Sequence, residues 1–195
     1  MTPASPKRSL VPPLLIVLLF VGPLIAAAWL YYAGQAWQPT GRSNHGLLLQ
    51  PVVALNEHPG IAPLNSLTGN ASDGHWVLIY ANRNSCGPDC EAALYRLRQA
   101  RLMLGNDMNR VIRVFLHGAA APDRVLLEES HPGLITINDA GLGELLDDRR
   151  PAGAAAGGLY LVDPLGNLVM YFPAELDPRQ MVDDIEHLLE LSRIG

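Results

Sequence analysis

The chain is poor in cysteine, lysine and acid at its start, and each shortage excludes something. Two cysteines in 195 residues, Cys86 and Cys90, rule out a small fold stapled by several disulfides. Lys7 is the only lysine beside thirteen arginines, a bias of genomic composition and not of chemistry. No acidic residue precedes Glu57, and no charge of either sign lies between Arg8 and Arg42. After that stretch twelve basic residues face nineteen acidic ones, a net charge of −7, which argues against nucleic acid and against a polybasic membrane contact. A P-loop, a zincin helix and a nucleophile elbow are all missing. Gly141-Leu142-Gly143 follows no convincing strand and lacks the third glycine of a dinucleotide fingerprint. There are no internal repeats, and low complexity is confined to the small-residue loop at 151–158.

The charge-free stretch is the first thing the sequence does have. Residues 11–32 are almost wholly apolar, and twenty-two positions at about 1.5 Å each cross a bilayer as a helix. Lys7 and Arg8 with Ala26-Ala27-Ala28 also fit a cleaved signal peptide. The apolar run continues past the alanines into Trp29, Leu30, Tyr31 and Tyr32, however, which suits an interfacial belt and a retained anchor. Lys7 and Arg8 before the span place the N-terminus in the cytoplasm. The expected organisation is a cytoplasmic N-terminus at 1–10, a single transmembrane helix at 11–32, a polar tether at 33–46 and one periplasmic domain at 47–195, held at the inner membrane. About 150 residues suffice for one core.

Within that domain, residues 47–55 are apolar around Pro51 and read as an edge strand, or as a hairpin with 64–68. Residues 75–80 form a short continuous apolar run, as in a strand buried on both faces. From 89 to 104, Ala93, Leu97, Ala100 and Leu104 share one helical face, and Gly105-Asn106 stops the helix. A strand follows at 111–116, a helix at 122–130, a short strand at 134–137 and a short helix at 141–148. Asp163-Pro164-Leu165-Gly166-Asn167 between two apolar runs, 159–162 and 168–172, is the clearest hairpin in the chain. A last helix spans 178–193, with Met181, Ile185, Leu188 and Leu189 toward the core.

Chemistry concentrates at Cys86-Gly87-Pro88-Asp89-Cys90, directly after the buried-strand pattern. Thiols four positions apart on one helical face have Cα atoms about 6 Å apart, within disulfide range. They bridge, or both point at one soft metal ion. Pro88 suits the first helical turn, where its missing N–H costs nothing. The helix dipole there favours thiolate over thiol, so Cys86, nearer the positive end, is the expected reactive group. A static structural bridge is the competing reading.

The order strand, cysteine helix, strand, helix, hairpin, helix, with this dithiol, resembles the thioredoxin fold, an α/β class. More narrowly, the N-terminal span, the strand Trp76-Val77-Leu78-Ile79-Tyr80, Cys86 and Cys90, and the hairpin Leu159-Tyr160-Leu161-Val162-Asp163-Pro164-Leu165-Gly166 followed by Tyr171-Phe172 resemble the Sco family. The chain is similar, too, to small membrane proteins of bacterial cytochrome oxidase gene clusters, in which Asn44-His45-Gly46 recurs. The resemblance implies a membrane-anchored protein that assists cytochrome c oxidase assembly through dithiol exchange or copper handling. A cytochrome c oxidase subunit or another assembly factor is then the partner. Sco proteins are expected to carry a third copper ligand, a histidine, where this chain has Ala155, and no histidine occurs at 153–158. Alternatives from other classes are a general thiol-disulfide oxidoreductase and a non-catalytic assembly factor.

Cu(I) accepts two thiolates, and His117, at the end of the strand 111–116, is the candidate third ligand. The carboxyl ends of neighbouring parallel strands gather at one sheet edge, the edge that also presents Cys86. His45, His58, His75, His131 and His187 lack such an argument. Zinc wants four ligands and finds two thiolates. Arg83 lowers the Cys86 thiol pKa if it folds back over the loop, and Asp89 and Glu91 oppose that. Asn70-Ala71-Ser72 is a glycosylation sequon by pattern alone.

Overall fold

The structure, a computed structural model, describes residues 11–33, 44–55, 74–120 and 124–192. It divides into two units, residues 1–43 and 44–195. The first contains helix α1 (Val11–Ala33), 23 residues without a charged side chain. Leu15, Ile16, Leu19, Phe20, Leu24 and Trp29 on it are all more than half exposed. Among the fully described residues no stretch is by itself long and apolar enough to cross a membrane. Residues 34–43 of the expected tether, the expected hairpin strand 64–68, His58 and the sequon at 70–72 lie outside the described residues.

The second unit begins at Asn44, three residues before the expected boundary, because the chain there is already docked. The backbone N–H groups of His45 and Gly46 donate to the Asp184 carboxylate at 3.1 and 2.7 Å. Gly46 lies so close to Phe172 and Met170 that any side chain would strike them; a Cβ there would come within 2.8 Å of the Met170 sulfur. Asp184 stands in the apolar stripe of the last helix and is only 6% exposed, so these two donors offset the cost of burying its charge.

Six strands form one sheet: β1 (Leu47–Ala54), β2 (Trp76–Asn82), β3 (Val111–His117), β4 (Leu134–Ile137), β5 (Gly158–Val162) and β6 (Asn167–Pro173), in the spatial order β1-β6-β5-β2-β3-β4. β2, β3 and β4 are parallel neighbours, β5 runs antiparallel to β2, and β6, antiparallel to β5, shares the direction of β2. β1 does occupy an edge, paired with β6, and its pairing slips between Leu48 and Val53. Pro51 falls inside that irregular stretch, where a missing N–H breaks no ladder bond. The β5–β6 turn is built by Asp163, which accepts from the backbone N–H groups of Leu165 (2.9 Å) and Asn167 (2.8 Å).

Helix α2 (Pro88–Met103) follows β2, and α3 (Arg124–Ser130), α4 (Ala140–Asp148) and α5 (Pro178–Leu191) complete the unit. Alternation along the central strands splits the core into two layers. Trp76, Leu78 and Tyr80 pack with Ala93, Leu97, Met181 and Ile185 on the α2–α5 face. Val77 and Ile79 pack with Leu142 and Leu146 of α4 on the other. Of the expected helix faces, Ala93, Leu97, Ala100 and Leu104 are buried, as are Met181, Ile185 and Leu189, while Leu188 is half-buried at the core margin. Asp139 and Asp177 cap α4 and α5 by accepting from Leu142 N and Arg179 N.

Candidate dithiol site

Cys86 and Cys90 are joined in a disulfide with Cα atoms 5.1 Å apart. Gly87 is the N-cap of α2 and Pro88 its first residue, so Cys86 stands just outside the helix and not on its face. Being one residue beyond the cap, it still faces the positive end of the dipole that the sequence argument invoked. Cys90, inside the first turn, is 3% exposed and part of the core, whereas Cys86 is half-buried at its margin. The two sulfurs therefore differ in access, and the reachable one is Cys86.

The strand that delivers the loop ends at a polar residue, Asn82, which is 9% exposed. Its Oδ1 accepts from Asn84 N at 3.0 Å, folding the chain back toward the cysteines. Burial and, less, the Asp89 charge push the Tyr80 pKa up to about 12, against a smaller lowering influence of the Asn82 side chain. Tyr80 stacks on Phe115 with centroids 5.6 Å apart, and Phe115 meets the His117 ring at 5.9 Å. This aromatic row occupies the sheet face that carries α2. The Tyr80 hydroxyl borders Gly157, where a side chain would meet it at 3.5 Å, so the small-residue loop before β5 lies over the same end of the strand.

His117 pairs in register with Asn82 across β3 and β2, as the shared-edge argument requires. Gly118 beside it approaches the Arg83 carbonyl too closely for any side chain, which locks the two loops together. The imidazole Nδ1 bonds the Gly118 carbonyl at 2.8 Å, and that oxygen also accepts from Asn138 Nδ2 at 3.0 Å. A carbonyl only accepts, so Nδ1 carries the hydrogen and the neutral ring keeps its lone pair on Nε2. The structure does not complete a metal centre around it. Among the described residues no three His, Cys, Asp or Glu side chains are placed to hold an ion.

Arg83 does not fold over the cysteine loop. Its Nη1 pairs with Asp147 Oδ2 of α4 at 3.1 Å and its chain runs past Gly143, so the carboxylate on the opposite helix wins the guanidinium. Tyr80 and Asn82 are the site residues that the sequence reading missed. Their signal was available: two polar-tipped residues at the end of an otherwise apolar buried strand.

Solved structures with similar folds include apo Sco1 from Thermus thermophilus, 17% identical over 77% of this chain and 99% of that one, with a TM-score of 0.51. Copper-bound ScoI from Arabidopsis thaliana is 19% identical over 64% and 89%, TM-score 0.48. A DsbF homologue from Corynebacterium diphtheriae is 11% identical over 77% and 96%, TM-score 0.47. No curated protein matches the sequence. The fold shared with the Thermus protein is thioredoxin-like, mixed α/β, as the element order implied. The family model described as transmembrane-like, thioredoxin-like, C-terminal domain matches residues 76–192, from the first residue of β2 through the dithiol to the end of α5, and the chain belongs to that family.

Proposed function

We propose that this chain is a membrane-anchored, extracytoplasmic thioredoxin-fold protein whose Cys86–Cys90 pair cycles between disulfide and dithiol in support of cytochrome c oxidase assembly. The observation that carries the redox part is the unequal access of the two sulfurs, one at the core margin before a helix start and one buried behind it. A partner thiolate attacks Cys86 Sγ, the intramolecular S–S bond breaks, and Cys90 leaves with the electron pair and takes up a proton. A second partner thiolate then attacks the partner sulfur of the mixed disulfide and releases Cys86 as thiolate. The partner dithiol is oxidised and the pair reduced, by two electrons. Anchoring is supported by the charge-free helix α1 and by Lys7 and Arg8 before it. The oxidase link rests on the family resemblance, and the partner it names is an oxidase subunit or another assembly factor.

The deciding experiment equilibrates the full chain, in detergent, with graded thiol-disulfide buffers and counts blocked thiols by mass after alkylation. A functional pair has a midpoint well above about −300 mV, the region of resistant structural bridges. A midpoint at or below that value would leave a static bridge and a partner-binding role. A reporter fused after Gly195 checks the topology, with activity expected outside the cytoplasm.

A second reading takes Cu(I) as cargo on the reduced pair, since two thiolates suit a soft ion. The Nε2 lone pair of His117, on the same sheet edge and face as the cysteine loop, favours it. Anaerobic Cu(I) binding that needs both cysteines, and that weakens in His117→Ala while disulfide formation persists, supports this reading. Equal affinity in that variant removes His117 from the site.

A further inference from the structure

Helix α2 carries an outer face that no described element covers. Pro88, Tyr95 and Leu102 lie seven positions apart, so they fall on nearly one line along the side away from the buried Cys90, Ala93 and Leu97. Tyr95 is 56% exposed and Leu102 46%, with Met103 close by at 40%. Glu91 and Arg98, again seven apart, run along one flank of that line, and Ala92 and Gln99 along the other. Among the described residues neither the Glu91 nor the Arg98 side chain has a hydrogen bond or an ion pair. They stand about 10 Å apart along the axis, too far to meet within one helix. Arg98 lies instead in the field of another cation, Arg113.

The acids of α2, Asp89 and Glu91, stand in its first turn, and its arginines, Arg96, Arg98 and Arg101, in its second half, with no acid from 92 to 106. The helix dipole accounts for that order of signs but not for the apolar line between them. A second α2 laid antiparallel accounts for both. A two-fold axis at Tyr95 brings the same flank of each helix together, so that Tyr95 meets its own copy, Pro88 meets Leu102 of the second copy, and Glu91 meets Arg98 of the second copy, twice. A parallel pair would set Glu91 on Glu91 and Arg98 on Arg98. We propose that α2 is a self-complementary docking face at which two copies of this chain pair antiparallel. Arg96 takes no part, being committed to the Ala174 carbonyl at 3.1 Å. One helix face falls short of the roughly 800 Å² per partner of a standard interface, so the pair is weak and reversible. The two dithiols stand at opposite ends of it, about 20 Å apart along the helices, and are not joined by it.

Sedimentation of the full chain in density-matched detergent, over a graded protein concentration, tests this. A reversible monomer–dimer equilibrium is expected. Glu91→Arg and Arg98→Glu, each of which sets two pairs of like charges face to face, should weaken the dimer about fivefold or more, and the double variant should restore it. Circular dichroism checks that each variant folds. Tyr95→Cys should cross-link to a dimer with a short bismaleimide, since the native cysteines are held in their bridge, whereas Leu165→Cys on the β5–β6 turn should not. The Cys86–Cys90 midpoint should be the same in all of these variants, so the redox reading stands or falls separately. A monomer at every concentration, a dimer that either single charge change leaves intact, a folded double variant that stays weak, or equal cross-linking through Leu165→Cys would each overturn the proposal.

Discussion

Reducing the Cys86–Cys90 bridge is the most discriminating perturbation of this protein. The bridge spans a sequence separation of only four, so it removes little freedom from the unfolded chain. In the chain-entropy model a loop this short is worth about 2 kcal/mol, against about 3 for a fifteen-residue loop. For a domain of this size each kcal/mol moves the unfolding midpoint by about 2–4 °C. Reduction is therefore expected to lower the midpoint by about 4–8 °C while the fold persists, because the surrounding packing of Ala93, Leu94 and Leu97 does not depend on the bridge. Circular dichroism melts of the full chain with and without dithiothreitol give the shift. Alkylation of the reduced protein under native conditions gives the second readout, with Cys86 labelled before the buried Cys90. Unfolding on reduction, or faster labelling of Cys90, would refute the picture of an expendable bridge with one accessible sulfur.

Other perturbations test other joints of the structure. Asp184→Asn replaces one of two carboxylate oxygens by a group that cannot accept, leaving His45 N or Gly46 N orphaned, and should cost about 1.5–3 kcal/mol in denaturant unfolding. Gly118→Ala drives a methyl into the Arg83 carbonyl; a cost of about 1–3 kcal/mol and a changed thiol midpoint are expected, whereas Gly87→Ala, with open space around it, should leave packing unchanged. The His131 pKa lies below its ordinary 6.5, first through burial and then through Arg113 and Arg98. The unfolded chain thus takes up this proton at a higher pH than the native one. Stability associated with His131 is full above pH 6.5 and declines as pH falls below it, so His131→Gln should flatten the stability curve between pH 6.5 and the lower native pKa.

Much of this architecture was legible in the chain itself, for reasons that are local. The β5–β6 hairpin is written in Asp163 and its neighbours, whose side-chain acceptors close the turn without outside help. Strand β2 is buried and almost wholly apolar from Trp76 to Tyr80 because it lies mid-sheet with helices on both faces, and such a run admits few other placements. The cysteine spacing next to Pro88 pointed to the helix start and to a bridge or a shared soft ion, and the structure holds the bridge. Sequence alone also named the strand end at which His117 falls, since parallel neighbours end at one edge.

Tertiary structure decided what depends on partners far apart along the chain. Arg83 was free to reach Cys86 or a distant carboxylate, and only the docking of α4 showed that Asp147, 64 positions away, takes it. Asp184 carries an acid in an apolar stripe, an oddity whose meaning appears only when the chain entering the domain lays two N–H groups on it, 138 and 139 positions away. Arg113 looks like a tolerable charge in a strand until the sheet face it joins is known to be the buried one. Periodicity and turn chemistry act over a few residues, so sequence reports them directly. Charge pairing and desolvation act across space, and only the folded chain sets those distances.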